Sequence, residues 1–382
     1  MNNQSPQQFQ QYPQPPSFQN DEIDLKELFL ALWKGKLTII LCTLIFTIGA
    51  VAYALTTQEW WSSKAKIMLP QIHDFSEYQE QVKQYQPIFD IYQDDGSVLV
   101  SESLDPLVDP EVLFQNFISV YNSSNNKKKF LDGSAEFQAF KDQLGTGTGT
   151  DTDKKEATRK LYSEWFQKIS AVADNKKAEL SPFNISLQAT TKESSYTLLN
   201  EYITSVKSEV FNDALNNLQA MVNGKYNELN QQKIILETQA KNRLAVEIER
   251  SRYALDIAKA AEVNKPIQNM GNNELFAIEL GTQALSAKIK ALESVKNLTV
   301  IEPRLQQIDA KIDMLKNMKI DRNIKFQTFR YLENVDQPFS RDKPKRALIA
   351  VLGTLLGGML GVALVLVRFA FRKEESELET KN

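Results

Sequence analysis

Two long apolar runs constrain this chain more than any other feature. Residues 37–55 form a run of 19 residues and residues 347–367 a run of 21, and neither run contains a charged side chain. At the helical rise of about 1.5 Å per residue they reach about 28 and about 31 Å, close to the hydrocarbon thickness of a bilayer. The sequence therefore predicts two transmembrane helices, one near each end of the chain.

The residues that flank the runs indicate an orientation. Trp33 precedes the first run and Trp60 follows it, as expected of indole rings at the headgroup boundary. Basic residues lie just before the first run and just after the second, and they favour a cytoplasmic location for the two termini: Lys26, Lys34, Lys36, Arg368, Arg372 and Lys373. Four basic residues oppose it at the other end of the second run: Arg341, Lys343, Lys345 and Arg346. Long loops translocate largely regardless of charge, so residues 56–346 are predicted to lie outside the cytoplasm.

Composition narrows the class further. The net charge is −3 and no basic block stands out, so no nucleic-acid partner is expected. The single cysteine, Cys42, lies inside the first run, and the outer domain therefore has no disulfide. A bacterial periplasmic domain that depends on its own packing fits this better than a eukaryotic secreted one.

The segments inside the membrane topology differ in composition. Residues 1–20 hold seven Gln and four Pro and are predicted to be a disordered cytoplasmic tail. Residues 21–36 read as a cytoplasmic amphipathic segment, and residues 368–382 as a second cytoplasmic tail.

Alternating apolar residues predict a sheet in the outer domain. The clearest pattern covers residues 183–189, and similar patterns at 61–69 and 329–335 each lie next to a predicted span. We expect these last two strands to meet in one sheet. They belong to a predicted α/β base formed by residues 56–200 and 324–346.

A helical stripe dominates the middle of the chain. Between residues 211 and 258, fourteen positions recur about every 3.6 residues, and only Lys233 and Ser251 among them are not apolar. A turn at 264–273 and two return helices of about 25 and about 16 residues complete a predicted hairpin over about 201–323. Two return helices are too few to cover this stripe along its whole length. We therefore expect neighbouring subunits to cover six of its residues: Leu215, Leu218, Val222, Leu229, Leu236 and Ile248.

Glycines recur every four residues in the second span. Gly353, Gly357 and Gly361 form two overlapping GxxxG motifs on one helix face, which predicts close packing against another helix. The alternative is that glycine is simply frequent in membrane helices.

No motif for catalysis, metal or cofactor stands out. His73 is the only histidine, and no CxxC, HExxH or GxSxG sequence occurs. The glycines between residues 145 and 150 lack the Gly-Lys-Ser/Thr of a phosphate loop. We therefore expect no catalytic, metal or cofactor site.

Several short segments in a fixed order carry a family resemblance. They are Glu22-Ile-Asp-Leu25, Leu32-Trp33, Trp60, the segment Ser251-Arg-Tyr-Ala-Leu-Asp-Ile-Ala-Lys-Ala-Ala261, Lys265-Pro266, Pro338, Pro344 and a glycine-rich second span. Together they resemble the Wzz-type chain length determinants, the polysaccharide co-polymerases, and most of all the FepE-like branch. The segment before the second span holds only Pro338 and Pro344, fewer prolines than is usual in that family.

The resemblance implies an α+β membrane protein with two transmembrane helices flanking a periplasmic α/β base and a long helical hairpin. It also implies a homo-oligomer in the bacterial inner membrane that works with a Wzy-type polymerase. Such proteins set the modal length of lipopolysaccharide O-antigen and are not known as glycosyltransferases. Growing polysaccharide and the lipid bilayer complete the expected partners.

Three other functions compete with this one. A tyrosine autokinase co-polymerase would need a Walker motif and a cytoplasmic domain, whereas only 15 residues follow Val367. A chemoreceptor would need a long cytoplasmic coil. A membrane-anchored periplasmic adaptor or scaffold of an export machine stays open, although such proteins are usually richer in strands and glycine.

Overall fold

The computed structural model of the chain describes residues 25–93, 95–145, 150–175, 177, 181–267 and 276–379. The predicted tail at 1–20 and the glycines at 147 and 149 lie outside these residues. The chain divides into two compact units, one formed by Met1–Trp61 with Phe339–Asn382 and the other by Ser62–Pro338. We call them the membrane unit and the outer unit.

Helices make up most of the described chain. They are α1 (Leu25–Lys34), α2 (Lys36–Thr56), α3 (Ser76–Lys83), α4 (Gln86–Phe89), α5 (Pro110–Asn122), α6 (Ser124–Gly133), α7 (Ala135–Gly145), α8 (Asp151–Lys168), α9 (Lys192–Ala260), α10 (Gly281–Glu293), α11 (Arg304–Asn317) and α12 (Arg346–Glu379). The strands are β1 (Trp61–Met68), β2 (Ile91–Tyr92), β3 (Val98–Leu99), β4 (Ile169–Ala173), β5 (Phe183–Ala189) and β6 (Arg330–Asp336).

The membrane unit contains two helices long and apolar enough to cross a bilayer. They are α2 and the Arg346–Phe371 part of α12. The sequence predicted spans at residues 37–55 and 347–367. Large apolar side chains such as Leu37, Leu41 and Ile45 are exposed on α2, as lipid-facing residues are. α12 continues as a helix to Glu379, through most of the segment that the sequence suggested was a tail.

A four-stranded sheet with the order β4-β5-β1-β6 lies in the outer unit. β1 and β6 pair antiparallel, so the two strands that adjoin the spans in sequence meet in one sheet, as expected. β4 pairs antiparallel with β5, with Ala171 opposite Ile185. Sequence patterning did not predict β4, which follows α8 without a connecting loop. β2 and β3 form a separate small hairpin.

Aromatic side chains fix the helices on this sheet. Tyr202 of α9 donates to the backbone oxygen of Tyr121 at 2.6 Å, and Tyr121 donates to the backbone oxygen of Ser186 in β5 at 3.2 Å. The two tyrosine rings meet edge to face, with centroids 4.8 Å apart. Burial raises the pKa of the Tyr121 hydroxyl well above its ordinary value, so it stays a neutral donor.

The long helix α9 has 69 residues, which corresponds to a length of about 100 Å. It begins earlier than the expected hairpin start near 201, because Thr191 caps it: the Thr191 hydroxyl accepts from the backbone N–H of Ser194 at 3.0 Å. It passes without interruption through Gly224, where the sequence allowed a kink.

Two shorter helices return along α9. α10 has 13 residues and α11 has 14, so the expectation of about 25 residues for the first return helix is wrong. α10 begins only at Gly281, which has a φ of 71°. A side chain there would meet the backbone of Lys265 at 2.8–2.9 Å, so the chain needs glycine at this turn.

Short helices cover the first half of the hairpin. The structure forms α3 to α7 where the sequence patterns were mixed. Side chains from α3, α4, α9 and α11 share one apolar core: Tyr78, Val82, Ile88, Phe89, Leu215, Leu218, Val222, Leu229, Ile308, Ile312 and Leu315. This core holds the return helix and the short helices against α9.

Candidate functional site

The glycine face of α12 packs against α2 of the same chain. A Cβ atom added to Gly353 would clash with the Cβ of Ala50, and one added to Gly361 would meet the Cα of Ile39 at 2.8 Å. At Gly357 the added atom would lie 2.8 Å from the Cα of Thr43. Small residues let two helix backbones approach closely in lipid, so this face is where the spans can come nearest to each other.

A polar contact crosses the same pair of helices. The hydroxyls of Thr47 in α2 and Thr354 in α12 lie 3.0 Å apart. Each hydroxyl has a single proton, so one hydroxyl donates across the pair while the other donates to a backbone oxygen of its own helix. The backbone oxygen of Thr43 lies 2.7 Å from the Thr47 hydroxyl, and that of Ala350 lies 2.8 Å from the Thr354 hydroxyl. A hydroxyl pair inside an apolar span resists rotation of one helix against the other.

Charged residues tie the outer ends of the spans. Glu59 accepts from the guanidinium groups of Arg341 and Arg346, each at 2.6 Å. Arg346 also donates to the backbone oxygen of Ala54 at 3.2 Å. The backbone N–H of Trp60 donates to the backbone oxygen of Lys343 at 3.0 Å.

The two prolines expected to matter near the membrane fall in different units. Pro344 is buried in the membrane unit, two residues before α12 begins. Pro338 is half-buried and is the last residue of the outer unit. Their importance stays a prediction.

Ion pairs hold the return helices along α9. Lys233 pairs with Asp309 of α11 at 2.6 Å, and Lys288 of α10 pairs with Glu247 at 2.5 Å. The side chain of Glu302, two residues before α11, is 4% exposed and accepts from Arg243 of α9 at 2.8 Å and from Arg304 at 2.6 Å. The hydrogen bond from Arg304 holds the pKa of the Glu302 carboxyl below its ordinary value.

Replacing Glu302 by glutamine is expected to lower the free energy of unfolding by about 1–2 kcal/mol at neutral pH. The folded-state pKa lies below the ordinary 4.5, so the pair stabilises fully above that value. Its contribution is lost as the pH falls through the folded pKa. Urea unfolding of the parent and of Glu302→Gln, followed by circular dichroism between pH 3 and pH 7, measures the difference.

The control for this prediction is Glu293→Gln, which removes an exposed pair with Arg252. Its expected effect is about 0–1 kcal/mol at any of these pH values. A Glu302→Gln difference that stays constant down to pH 3 would contradict the assignment.

The stripe expected to face neighbouring subunits lies largely inside the chain's own core. Leu215, Leu218, Val222 and Leu229 are each 7% exposed or less. This corrects the expectation: α3, α4 and α11 cover these side chains, because the segment before α5 folds back onto α9. Leu236 and Ile248 are half-buried.

A different apolar face of α9 is exposed. Ile235, Val246, Tyr253 and Ile257 are 41–56% exposed and follow one another at spacings of 11, 7 and 4 residues, which are whole helical turns. Polar residues between them hid this face from the sequence pattern. The chain itself leaves these four side chains largely uncovered.

A cleft of about 760 Å³ lies between the β2–β3 hairpin, α9 and α11. The ammonium group of Lys311 lies 5.3 Å from the centre of the Tyr92 ring, and burial lowers the pKa of that lysine. Gln232 and Gln307 also line the cleft. Ring faces together with amide groups can bind hydroxyl-rich molecules. Among the described residues, no three His, Cys, Asp or Glu side chains lie close enough to hold a metal.

Comparison with known proteins gives a consistent result. The family model Wzz, chain length determinant protein, matches residues 21–133. The model GNVR, a G-rich domain on putative tyrosine kinase, matches residues 305–370.

Two relatives align over nearly the whole chain. Ferric enterobactin transport protein FepE of Escherichia coli strain K12 is 25% identical over 369 residues, covering 94% of this chain and 92% of the relative. The chain length determinant protein of Salmonella typhimurium strain LT2 is 28% identical over 356 residues, covering 92% and 93%.

One solved structure shares the fold. A full-length bacterial polysaccharide co-polymerase superposes with a TM-score of 0.59 at 24% identity, covering 92% of this chain and 99% of that one. Family model, near full-length relatives and fold agree with the two spans and the long helix described above. Over nearly its whole length the chain is therefore similar to the Wzz-type chain length determinants and to FepE.

Proposed function

We propose that this protein sets the modal length of lipopolysaccharide O-antigen as an inner-membrane co-polymerase with most of its chain in the periplasm. The observation that carries the proposal is the pair of spans flanking a long hairpin in a chain that matches the chain length determinants. The family model and the Salmonella relative both bear that name, whereas ferric enterobactin transport names a single relative among those described above.

The mechanism that we propose leaves bond formation to another enzyme, a Wzy-type polymerase. A polymerase with a constant chance of stopping gives a smoothly falling distribution of lengths. A peak at one length requires that stopping depends on the length already made. A rigid helix of about 100 Å offers a ruler of fixed size for that dependence.

Assembly of several copies is part of this proposal. The exposed face of α9 formed by Ile235, Val246, Tyr253 and Ile257 is our candidate for the contact between subunits. Apolar side chains repeated along one helix face are typical of such contacts. Growing polysaccharide is a further proposed partner, and the cleft beside Tyr92 carries ring and amide groups suited to it.

A periplasmic adaptor of an export machine is the alternative, and deletion of the gene separates the two. Under our proposal, the deletion strain still makes O-antigen, but its lipopolysaccharide ladder loses the cluster at one length. A plasmid copy restores the same cluster. Loss of all polymer would instead assign the protein to synthesis or export. A ladder that keeps its peak, in a strain without a second determinant, would refute length regulation.

A further inference from the structure

Basic residues are concentrated at the periplasmic end of the second span. Arg341, Lys343, Lys345 and Arg346 lie within six positions. The acidic residues beside them are Glu59 and Asp342, so the segment keeps an excess of two positive charges. This excess opposes the usual enrichment of Lys and Arg on the cytoplasmic side, and orientation does not explain it.

Glu59 forms ion pairs with the two arginines of this segment, and not with its two lysines. It accepts from Arg341 and Arg346 at 2.6 Å each, whereas the side chains of Lys343 and Lys345 are exposed. The arginine pairs therefore fasten the two spans, and the lysines carry the excess charge at the surface.

The backbone holds these lysines at the end of the span. The Trp60 N–H donates to the oxygen of Lys343 at 3.0 Å, and the N–H of Asp342 donates to the oxygen of Trp60 at 2.9 Å. α12 begins at Arg346, one residue after Lys345. The two lysines thus lie within three residues of the start of the apolar helix, where the end of a membrane span meets the headgroup region.

An exposed aromatic residue completes the arrangement. Phe339 is 98% exposed, although phenylalanine is normally covered in a folded protein. Phe339 lies four residues before Lys343 in the chain. At the bilayer interface, apolar rings can enter the acyl boundary while nearby cations meet lipid phosphates.

We propose that Lys343 and Lys345, with Phe339 close to them in the chain, bind the phosphate groups of anionic phospholipids in the periplasmic leaflet. The collar formed by Glu59, Trp60, Phe339, Arg341, Lys343, Lys345 and Arg346 thereby gathers an annulus of anionic lipid around the spans. The attraction is electrostatic and weakens as the ionic strength rises.

Spin-labelled lipids measure this directly on the full-length protein. The chain is placed in phosphatidylcholine nanodiscs with traces of labelled phosphatidylglycerol or labelled phosphatidylcholine, and the immobilised fraction of each lipid is read by electron paramagnetic resonance. The parent should prefer phosphatidylglycerol. Lys343→Gln/Lys345→Gln should reduce the preference, roughly fivefold for each lysine at low salt. Lys343→Arg/Lys345→Arg should retain it.

The matched control is Lys319→Gln/Lys325→Gln, which removes two exposed lysines of the outer unit and should leave the preference unchanged. A parent without preference, or a glutamine double variant equal to the parent, would overturn the proposal. So would inorganic phosphate that abolishes the preference at an ionic strength where sodium chloride does not. The lipopolysaccharide ladder is read separately, so failure here is distinguishable from failure of the proposed function.

Discussion

Replacing Leu218 by alanine is expected to lower the free energy of unfolding of the outer unit by about 2–5 kcal/mol. Leu218 is 0% exposed and lies in the core that α3, α4 and α11 form on α9. Truncation removes its apolar contacts and leaves a cavity that packed neighbours close only in part. Urea unfolding of the full chain in detergent, followed by circular dichroism at the helical minimum, measures the loss.

The matched control on the same helix is Ile234→Ala, because Ile234 is 63% exposed. Its effect on a single subunit should stay within about 0.5 kcal/mol. The Leu218→Ala loss should also be independent of protein concentration, since this core lies within one chain. A Leu218→Ala loss that appears only at concentrations where subunits associate would contradict the assignment of the stripe to the chain's own core.

Replacing Gly357 by leucine should separate the two spans. Even the first added atom would lie 2.8 Å from the backbone Cα of Thr43 and 3.1 Å from the oxygen of Cys42, so the helices must move apart. Overpacking of this kind costs about 1–3 kcal/mol, which lowers the equilibrium ratio of packed to separated spans about fivefold or more.

An intramolecular cross-link reports on this packing. The hydroxyls of Thr47 and Thr354 are 3.0 Å apart, so Thr47→Cys/Thr354→Cys in a Cys42→Ser background should form a disulfide on mild oxidation. Gly357→Leu should slow it. Gly358→Ala is the control, because its added atom meets only the Thr43 hydroxyl at 3.8 Å. Equal cross-linking in all three proteins would show that Gly357 does not set the distance between the spans.

Local patterns predicted the elements whose signal is local. The uncharged runs predicted α2 and the apolar part of α12, and strict alternation predicted β5. The sequence pattern did not predict β4, because a five-residue strand directly after a helix offers no turn signal and only two or three alternations. The helices between residues 76 and 145 escaped because each is too short for a clear period.

The covering of the long helix could not be derived from periodicity. A 3.6-residue stripe shows that a helix face is covered and does not show what covers it. Here Tyr78 and Ile88, far from α9 in sequence, lie in the same buried core as Leu215 and Leu218. Periodicity did not predict the exposed apolar face of α9 either, because Ile235 and Val246 lie eleven residues apart among polar neighbours.

An exchange of the outer unit tests the central claim, that this protein imposes a preferred polymer length, most directly. Residues 62–338 are replaced by the corresponding part of the Salmonella relative, and the lipopolysaccharide of a deletion strain carrying the chimaera is sized by gel electrophoresis. We predict one cluster, at the length that the relative gives in the same strain. A cluster unchanged from the parent's length, or a ladder that has the same peak without either protein, would contradict the account.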